Sequence, residues 1–159
     1  MTFLTLDQAK AHLNVTVSLD DADITLKLEA AEQAAVEYLN RDVYANQADL
    51  NAAIAAAPVA LTAATTAYEA AIAAADLVEN EVERCMARFA ANEAYTAARS
   101  AARKTHQGIV INSNIKAAVL LKLGSLYAER EDESSSGANP ALSSRSRALL
   151  FPYRASMGV

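Results

Sequence analysis

Sixteen of the thirty-one residues from Ala45 to Ala75 are alanine. That stretch limits what the chain can become. Alanine is the strongest helix former and is depleted in strands, so the segment reads as helix. It also buries little apolar area per residue, so its gain is close approach of a second helix rather than a large core of its own. Pro58 cannot donate an intrahelical hydrogen bond and crowds the preceding turn. It therefore predicts a shorter helical piece over about 46–56 and a long one from Val59 to about Thr105. In the long piece Leu61, Tyr68, Ala75, Val82 and Phe89 recur every seven residues, with Ala64, Ala71, Val78 and Cys85 interleaved. This spacing resembles a coiled-coil seam. The expectation is an antiparallel helical hairpin that projects from the body, bends near Pro58 and bends again near Asn80. Asp49, Glu69 and the weak apolarity of alanine argue against a membrane span.

The flanking segments carry ordinary helix signals. Thr5 followed by Gln8 is a capping box that opens a short helix to about Leu13, with Leu6, Ala9 and Leu13 on one face. Asp20, Asp21 and Asp23 place carboxylates where a helix N-terminus carries partial positive charge. Behind them Ile24, Leu28, Ala31, Ala35 and Leu39 repeat at helical spacing to about Asn40. Gly108 ends the alanine-rich element, and Ile109-Val110-Ile111 reads as a short extended piece. A helix from about Asn114 to Arg130 is apolar nearly all round, through Ile115, Ala118, Val119, Leu120, Leu121, Leu123, Leu126 and Tyr127. That pattern marks it as the central core helix, and Gly124 would permit a close crossing. Residues 131–140 read as a polar, mobile loop. A last helix spans about Ser143 to Leu150 and is stopped by Pro152. The domain organisation expected is a helical core of residues 1–44 and 108–159, with residues 45–107 inserted as the hairpin.

Composition narrows the function classes. The chain has 159 residues, no Trp, and a net charge of -5. With so much alanine and only 6% aromatics, it is expected to gain stability from self-association or a partner. A sequence-specific nucleic-acid binder usually carries a basic surplus, which is missing. Residues 1–44 hold eight acids and three bases, whereas residues 143–159 hold Arg145, Arg147 and Arg154 and no acid. The two ends of the chain are thus suited to different surroundings. Cys85 is the sole cysteine, so no intrachain disulfide forms and a reducing compartment is expected. The N-terminus lacks the pattern of a signal peptide.

Catalytic chemistry finds little footing. None of the four glycines (108, 124, 137 and 158) sits in a phosphate-cradling pattern. His12 and His106 are far apart, and neither has a second ligand at metal spacing. Cys85 on the seam reads as a packed thiol, because a nucleophile needs a partner base. Asp20, Asp21 and Asp23 read as a helix start rather than a metal site. Tyr38, Tyr68, Tyr95 and Tyr127 read as packing residues. The chain is therefore expected not to be an enzyme and to need no cofactor and no metal.

Several motifs, taken in order, resemble the phage head-tail connector family, the small adaptors beneath the portal. At the N-terminal end they are Leu6-Asp7-Gln8-Ala9-Lys10-Ala11-His12-Leu13, the acidic turn Asp20-Asp21, and Glu37-Tyr38-Leu39. Toward the C-terminus they are Ile115-Lys116-Ala117-Ala118-Val119-Leu120-Leu121, Leu126-Tyr127-Ala128-Glu129-Arg130-Glu131 and Ala148-Leu149-Leu150-Phe151-Pro152-Tyr153-Arg154. The resemblance covers roughly residues 4–44 and 108–155. The alanine-rich middle departs from the shorter, β-containing connection common in that family.

The resemblance implies an all-α fold, here a small helical bundle with a long Ala-rich antiparallel hairpin insertion. It implies a ring, typically dodecameric in the virion, with the portal above and a tail-completion or stopper protein below. It places the chain at the head-tail interface of the virion, and in the host cytoplasm during assembly. DNA would pass through the channel without sequence-specific binding, which suits a net-acidic subunit because phosphate contacts dominate affinity. It also implies that the C-terminal region engages the portal. Pro152 predicts that the chain beyond it leaves as an extended arm, although Phe151 and Tyr153 packing back on the subunit is an equal alternative. Arg145, Arg147, Phe151, Tyr153 and Arg154 are the candidate portal-binding residues, since Arg suits partner carboxylates and aromatics anchor interfaces. The competing function is a helical interaction module absent from the finished particle, such as a phage assembly chaperone.

Overall fold

The computed structural model describes residues 3–128 and 142–155. Its elements are α1 (Leu6–Leu13), α2 (Asp21–Leu39), β1 (Val43–Tyr44), α3 (Gln47–Asp76), α4 (Glu81–His106), β2 (Ile109–Val110), α5 (Ser113–Ala128), α6 (Ser144–Leu150) and a 3-10 turn (Phe151–Tyr153). The fold is all-α, and among the described residues the exception is one two-residue parallel ladder pairing Val43 with Ile109 and Tyr44 with Val110. It divides into two compact units, Met1–Asn46 with Ile109–Val159, and Gln47–Gly108. The expected loop at 131–140 and the ends of the chain lie outside the described residues.

In the first unit the local signals act as the sequence suggests. The Thr5 hydroxyl accepts from the Gln8 amide at 3.3 Å, and the Gln8 side chain accepts from the Thr5 amide at 3.2 Å, which closes the capping box. Asn14 and Asn40 end α1 and α2 in the left-handed region, at φ 55° and 52°. Asparagine tolerates that conformation better than most residues, which is why a non-glycine stands at both stops. The core joins Ile24, Leu28, Ala31, Ala35 and Leu39 of α2 to Ile115, Ala118, Val119 and Leu123 of α5. Leu150 of α6 and Ala9 of α1 close its sides. Alanines at 31, 35 and 118 let these helix axes approach closely. Ser146 is fully buried on α6, and its hydroxyl donates to the Ala118 carbonyl at 3.3 Å, so its polarity is satisfied.

Helix α5 differs from the expectation. It is a core helix with one buried stripe, Ile115, Ala118, Val119, Lys122 and Leu123. Leu120 is only partly buried, and Leu121 is exposed. Its apolar circumference therefore exceeds what this unit buries by itself. Gly124 faces the His12 side chain, and a methyl group there would meet Nε2 at an ordinary 3.7 Å. Space alone does not demand the glycine.

The second unit is an antiparallel pair, α3 against α4. Tyr68 stacks on Tyr95 with ring centroids 5.0 Å apart, and Arg88 Nε donates to Asp76 at 3.0 Å. Two expectations fail here. Pro58 lies inside α3 and does not break it. The neighbouring Ala57 is buried and α3 packs on α4, so this packing holds the helix together against the local cost of the proline. The chain reverses at 77–80, where Asn80 caps α4 by accepting from the Val82 and Glu83 amides.

The predicted seam fails beyond that turn. Leu61, Ala64, Tyr68 and Ala75 do face α4, but Val82 is 72% exposed, Phe89 is 59% exposed, and Cys85 is exposed too. The face of α4 turned to α3 runs instead through Ala91, Tyr95, Ala98 and Ala102. A heptad frame carried through a non-helical turn loses its phase, and that is what happened here. Cys85 is consequently not a core thiol.

By length and composition α3 is the one described helix long and apolar enough to cross a membrane. Its apolarity is that of alanine, and it lies along the strongly charged α4.

Candidate interaction surface

The C-terminal residues singled out above lie on α6 and the turn that follows it. Ser143 caps α6 by accepting from the Ser146 amide at 3.2 Å. Ser146 and Leu150 then anchor the helix inward, which leaves Arg145, Arg147 and Phe151 outside. At ~100° per residue, Arg145 and Arg147 are about 200° apart around the helix, so they flank the buried stripe on opposite sides. Arg147 and Phe151 fall on one flank, about 40° apart on the same geometry. Phe151 is 68% exposed. Arg147 Nε donates to the Leu142 carbonyl at 2.9 Å, which orients the guanidinium while leaving its other donors outward.

Beyond Pro152 the chain does not leave as an arm, as far as it is described. Tyr153 is half-buried, and its hydroxyl accepts from Asn114 Nδ2 at 3.1 Å. The Arg154 guanidinium lies over the Tyr38 ring, 5.1 Å from its centroid. Ala155 is buried, and its amide donates to the Leu39 carbonyl at 2.9 Å. That last bond satisfies a carbonyl that the end of α2 would otherwise leave without a partner. Pro152 did stop α6, but carbonyls at the exposed end of α2 offered the chain a better course than solvent. Residues 156–159 lie outside the described part.

The acidic turn is shared among three partners rather than gathered into a site. Lys10 Nζ pairs with Asp21 at 2.6 Å, Lys27 Nζ with Asp23 at 2.8 Å, and the Tyr127 hydroxyl donates to Asp20 at 2.8 Å. These contacts tie α1 and α5 to the start of α2. Among the described residues no three His, Cys, Asp or Glu side chains are grouped as a metal site requires.

Two features were missed from the sequence. Glu32 is buried, and one of its carboxylate oxygens accepts from the Phe3 amide at 3.0 Å and the Leu4 amide at 2.9 Å. It latches the segment before α1 onto α2. Burial pushes its carboxyl above the usual range, more strongly than the two amides and the N-terminal charge draw it down, and Glu29 nearby adds to the rise. The second is a run of exposed apolar side chains on α4, Val82, Met86 and Phe89. The seven-residue spacing places Val82 and Phe89 on the inner seam and passes over Met86, so the outward stripe does not show in that pattern.

Comparison with known proteins supplies the identity of this scaffold. No curated protein and no solved structure matches the chain significantly. The model of the phage gp6-like head-tail connector proteins matches residues 3–83, half of the chain. The match takes in α1, the acidic turn, α2, β1 and α3. It ends just inside α4 and leaves the C-terminal motifs outside. That family is structural, and its members assemble with phage portal and tail components at the head-tail interface. The chain belongs to the phage gp6-like head-tail connector family.

Proposed function

We propose that this chain is the adaptor subunit of a ring, dodecameric in the virion, that sits beneath the portal, extends the DNA channel and joins head to tail. The observation that carries the reading is the family match across α1, α2 and α3. Two features support it. The exposed Leu121 and half-buried Leu120 give α5 an apolar outer face that a neighbouring copy would cover. The acidic surplus of residues 1–44 suits a channel that DNA must slide through, because a basic lining would bind phosphates. The chain itself reads no DNA sequence, uses no cofactor and carries out no catalysis. The proposed tail-side partner is a tail-completion or stopper protein, and assembly takes place in the host cytoplasm.

Portal contact is assigned to Arg145, Arg147, Phe151, Tyr153 and Arg154. Among these, Arg147 and Phe151 are the best placed to reach a partner, since they share one exposed flank of α6. Tyr153 and Arg154 serve chiefly to hold that flank against α2 and α5.

The test is to mix the purified full chain with its portal and examine the particles by electron microscopy. A ring added to the portal is expected. Arg147→Glu with Phe151→Glu should keep the native circular dichroism spectrum and abolish that ring. Portals left bare by the wild-type protein would overturn the reading and point to a partner outside the virion.

A further inference from the structure

The hairpin unit cannot cover its own apolar surface. Only Ala57, Ala75 and Ala91 of α3 and α4 are buried together with Leu50, and 11% of the most apolar window of α3 is buried. Two helices in contact hide one face each. What remains on the two outer faces is not alike.

The outer face of α4 carries Val82, Met86 and Phe89, exposed by 72%, 63% and 59%. At ~100° per residue these three fall within about 60° of arc, opposite the face turned to α3. The outer face of α3 runs through Ala52, Ala55, Val59, Thr62, Thr66, Ala70 and Ala73, all exposed and none charged. Its two hydroxyls are already used. Thr62 donates to the Pro58 carbonyl at 2.9 Å and Thr66 to the Thr62 carbonyl at 3.2 Å, so this face can be buried without leaving a polar group unsatisfied. Charge differs in the same sense. Helix α3 has three acids and no Lys or Arg, whereas α4 has five Lys or Arg and three acids.

From this we infer that the occupant of each outer face is a second copy of this chain, with the Val82–Met86–Phe89 stripe of one hairpin seated on the alanine face of α3 in the next. Bulky side chains meet a flat face of small ones, and a net-basic helix meets an acidic one. The two surfaces lie on opposite sides of the hairpin. An interface that joins them is therefore head-to-tail and builds a closed ring or an open row, not a two-fold dimer. The inference rests on the ring reading above and adds the surface on which the hairpins meet. A rotation about a ring axis preserves height and radius, so tip meets tip. Tyr68 is level with Tyr95, and the same register sets Phe89 near the neighbour's Ala70 and Ala73 and Met86 near its Leu77, itself 85% exposed.

Cys85, exposed at the edge of the stripe and the sole thiol, makes the geometry testable. The same register sets Cys85 level with the neighbour's residues 77 and 78, so the full chain is assembled on its portal and oxidised, as wild type and as Leu77→Cys. A second pair level in that register, Ala73→Cys with Ala90→Cys in a Cys85→Ala chain, guards against poor disulfide alignment at one position. The two thiols of one hairpin face opposite ways and cannot join each other. Wild type should give no disulfide-linked dimer. At least one variant should give a ladder of dimers, trimers and longer chains, lost when Phe89→Glu is added. Phe89 is exposed in the single copy, so Phe89→Glu should keep the native circular dichroism spectrum. Three results overturn the inference. Portal-bound rings that give no ladder at either position leave the ring reading intact and remove this interface. Linked Cys85 dimers in the wild type show a two-fold α4 contact instead. No assembly with or without portal removes both the ring and the interface.

Discussion

Glu32 holds Phe3 and Leu4 against α2, and its removal should be felt at both ends of that contact. In Glu32→Ala the Phe3 and Leu4 amides lose their acceptor, and Leu4 is itself buried. A hydrogen bond to a charged acceptor contributes about 1.5–3 kcal/mol, and an orphaned buried amide costs about 1–3 kcal/mol. Against this, the variant no longer buries an ionised carboxylate, which returns part of the loss. The net should be a destabilisation of about 2 kcal/mol in the unit that contains α1, α2 and α5.

Glu32→Gln should behave differently. Its amide oxygen still accepts from both backbone donors, and the buried charge is gone. The pH dependence separates the two effects. Burial holds the Glu32 carboxyl above its unfolded value. Its contribution is therefore fully present below the unfolded pKa and is lost as pH rises through the folded one. Wild type should lose stability relative to Glu32→Gln between acidic and neutral pH, and the difference should level off above that window. Urea unfolding across this range, with hydrogen exchange at the Leu4 amide, reads both quantities. Glu32→Ala with unchanged stability and unchanged Leu4 protection would refute the latch. A Glu32→Gln variant that keeps the full wild-type pH slope would refute the assigned cause.

Three further outcomes are expected. Gly124→Ala should stabilise the first unit by about 0.5–1 kcal/mol, read by urea unfolding, because glycine is the poorer helix former and the new methyl meets His12 Nε2 at an ordinary distance. Pro58→Ala should slow hydrogen exchange through the middle of α3 and raise the stability of the hairpin by up to about 3 kcal/mol, since it restores a donor and removes a clash. Leu123→Asp should unfold the first unit by circular dichroism, because an unpaired charge at a fully buried position costs several kcal/mol, whereas Leu120→Asp should be milder at its half-buried site.

Local signals in this sequence were readable because the structure settles them locally. The capping box at Thr5, the acidic start of α2 and the repeat from Ile24 to Leu39 all depend on neighbours within one or two turns. The course of the alanine-rich region was harder. Pro58 has a local cost that predicts a break, and the packing of α3 against α4, which is distant in sequence, outweighs it. The heptad frame from Leu61 to Phe89 was continuous in sequence, but the turn at 77–80 resets its phase and puts Val82 and Phe89 outside. The tail had two courses open to it, and residues 153–155 take the one that packs back on the subunit. Pro152 ends α6 by a local rule, while the docking of Ala155 on Leu39 depends on where α2 ends in space. Glu32 gave no signal, since nothing in a helix-spaced glutamate says that a distant backbone will need it. The candidate portal residues were found as a composition, three arginines without an acid, and the fold then separated Arg145 from the flank shared by Arg147 and Phe151.

The central claim is that this chain is a ring-forming component of the finished particle. Quantitative mass spectrometry of purified virions measures it directly, with the portal as an internal standard. The account predicts that the chain is present in every preparation at a fixed ratio to the portal, close to one adaptor per portal subunit. A chain abundant in infected cells but absent from purified virions would contradict it.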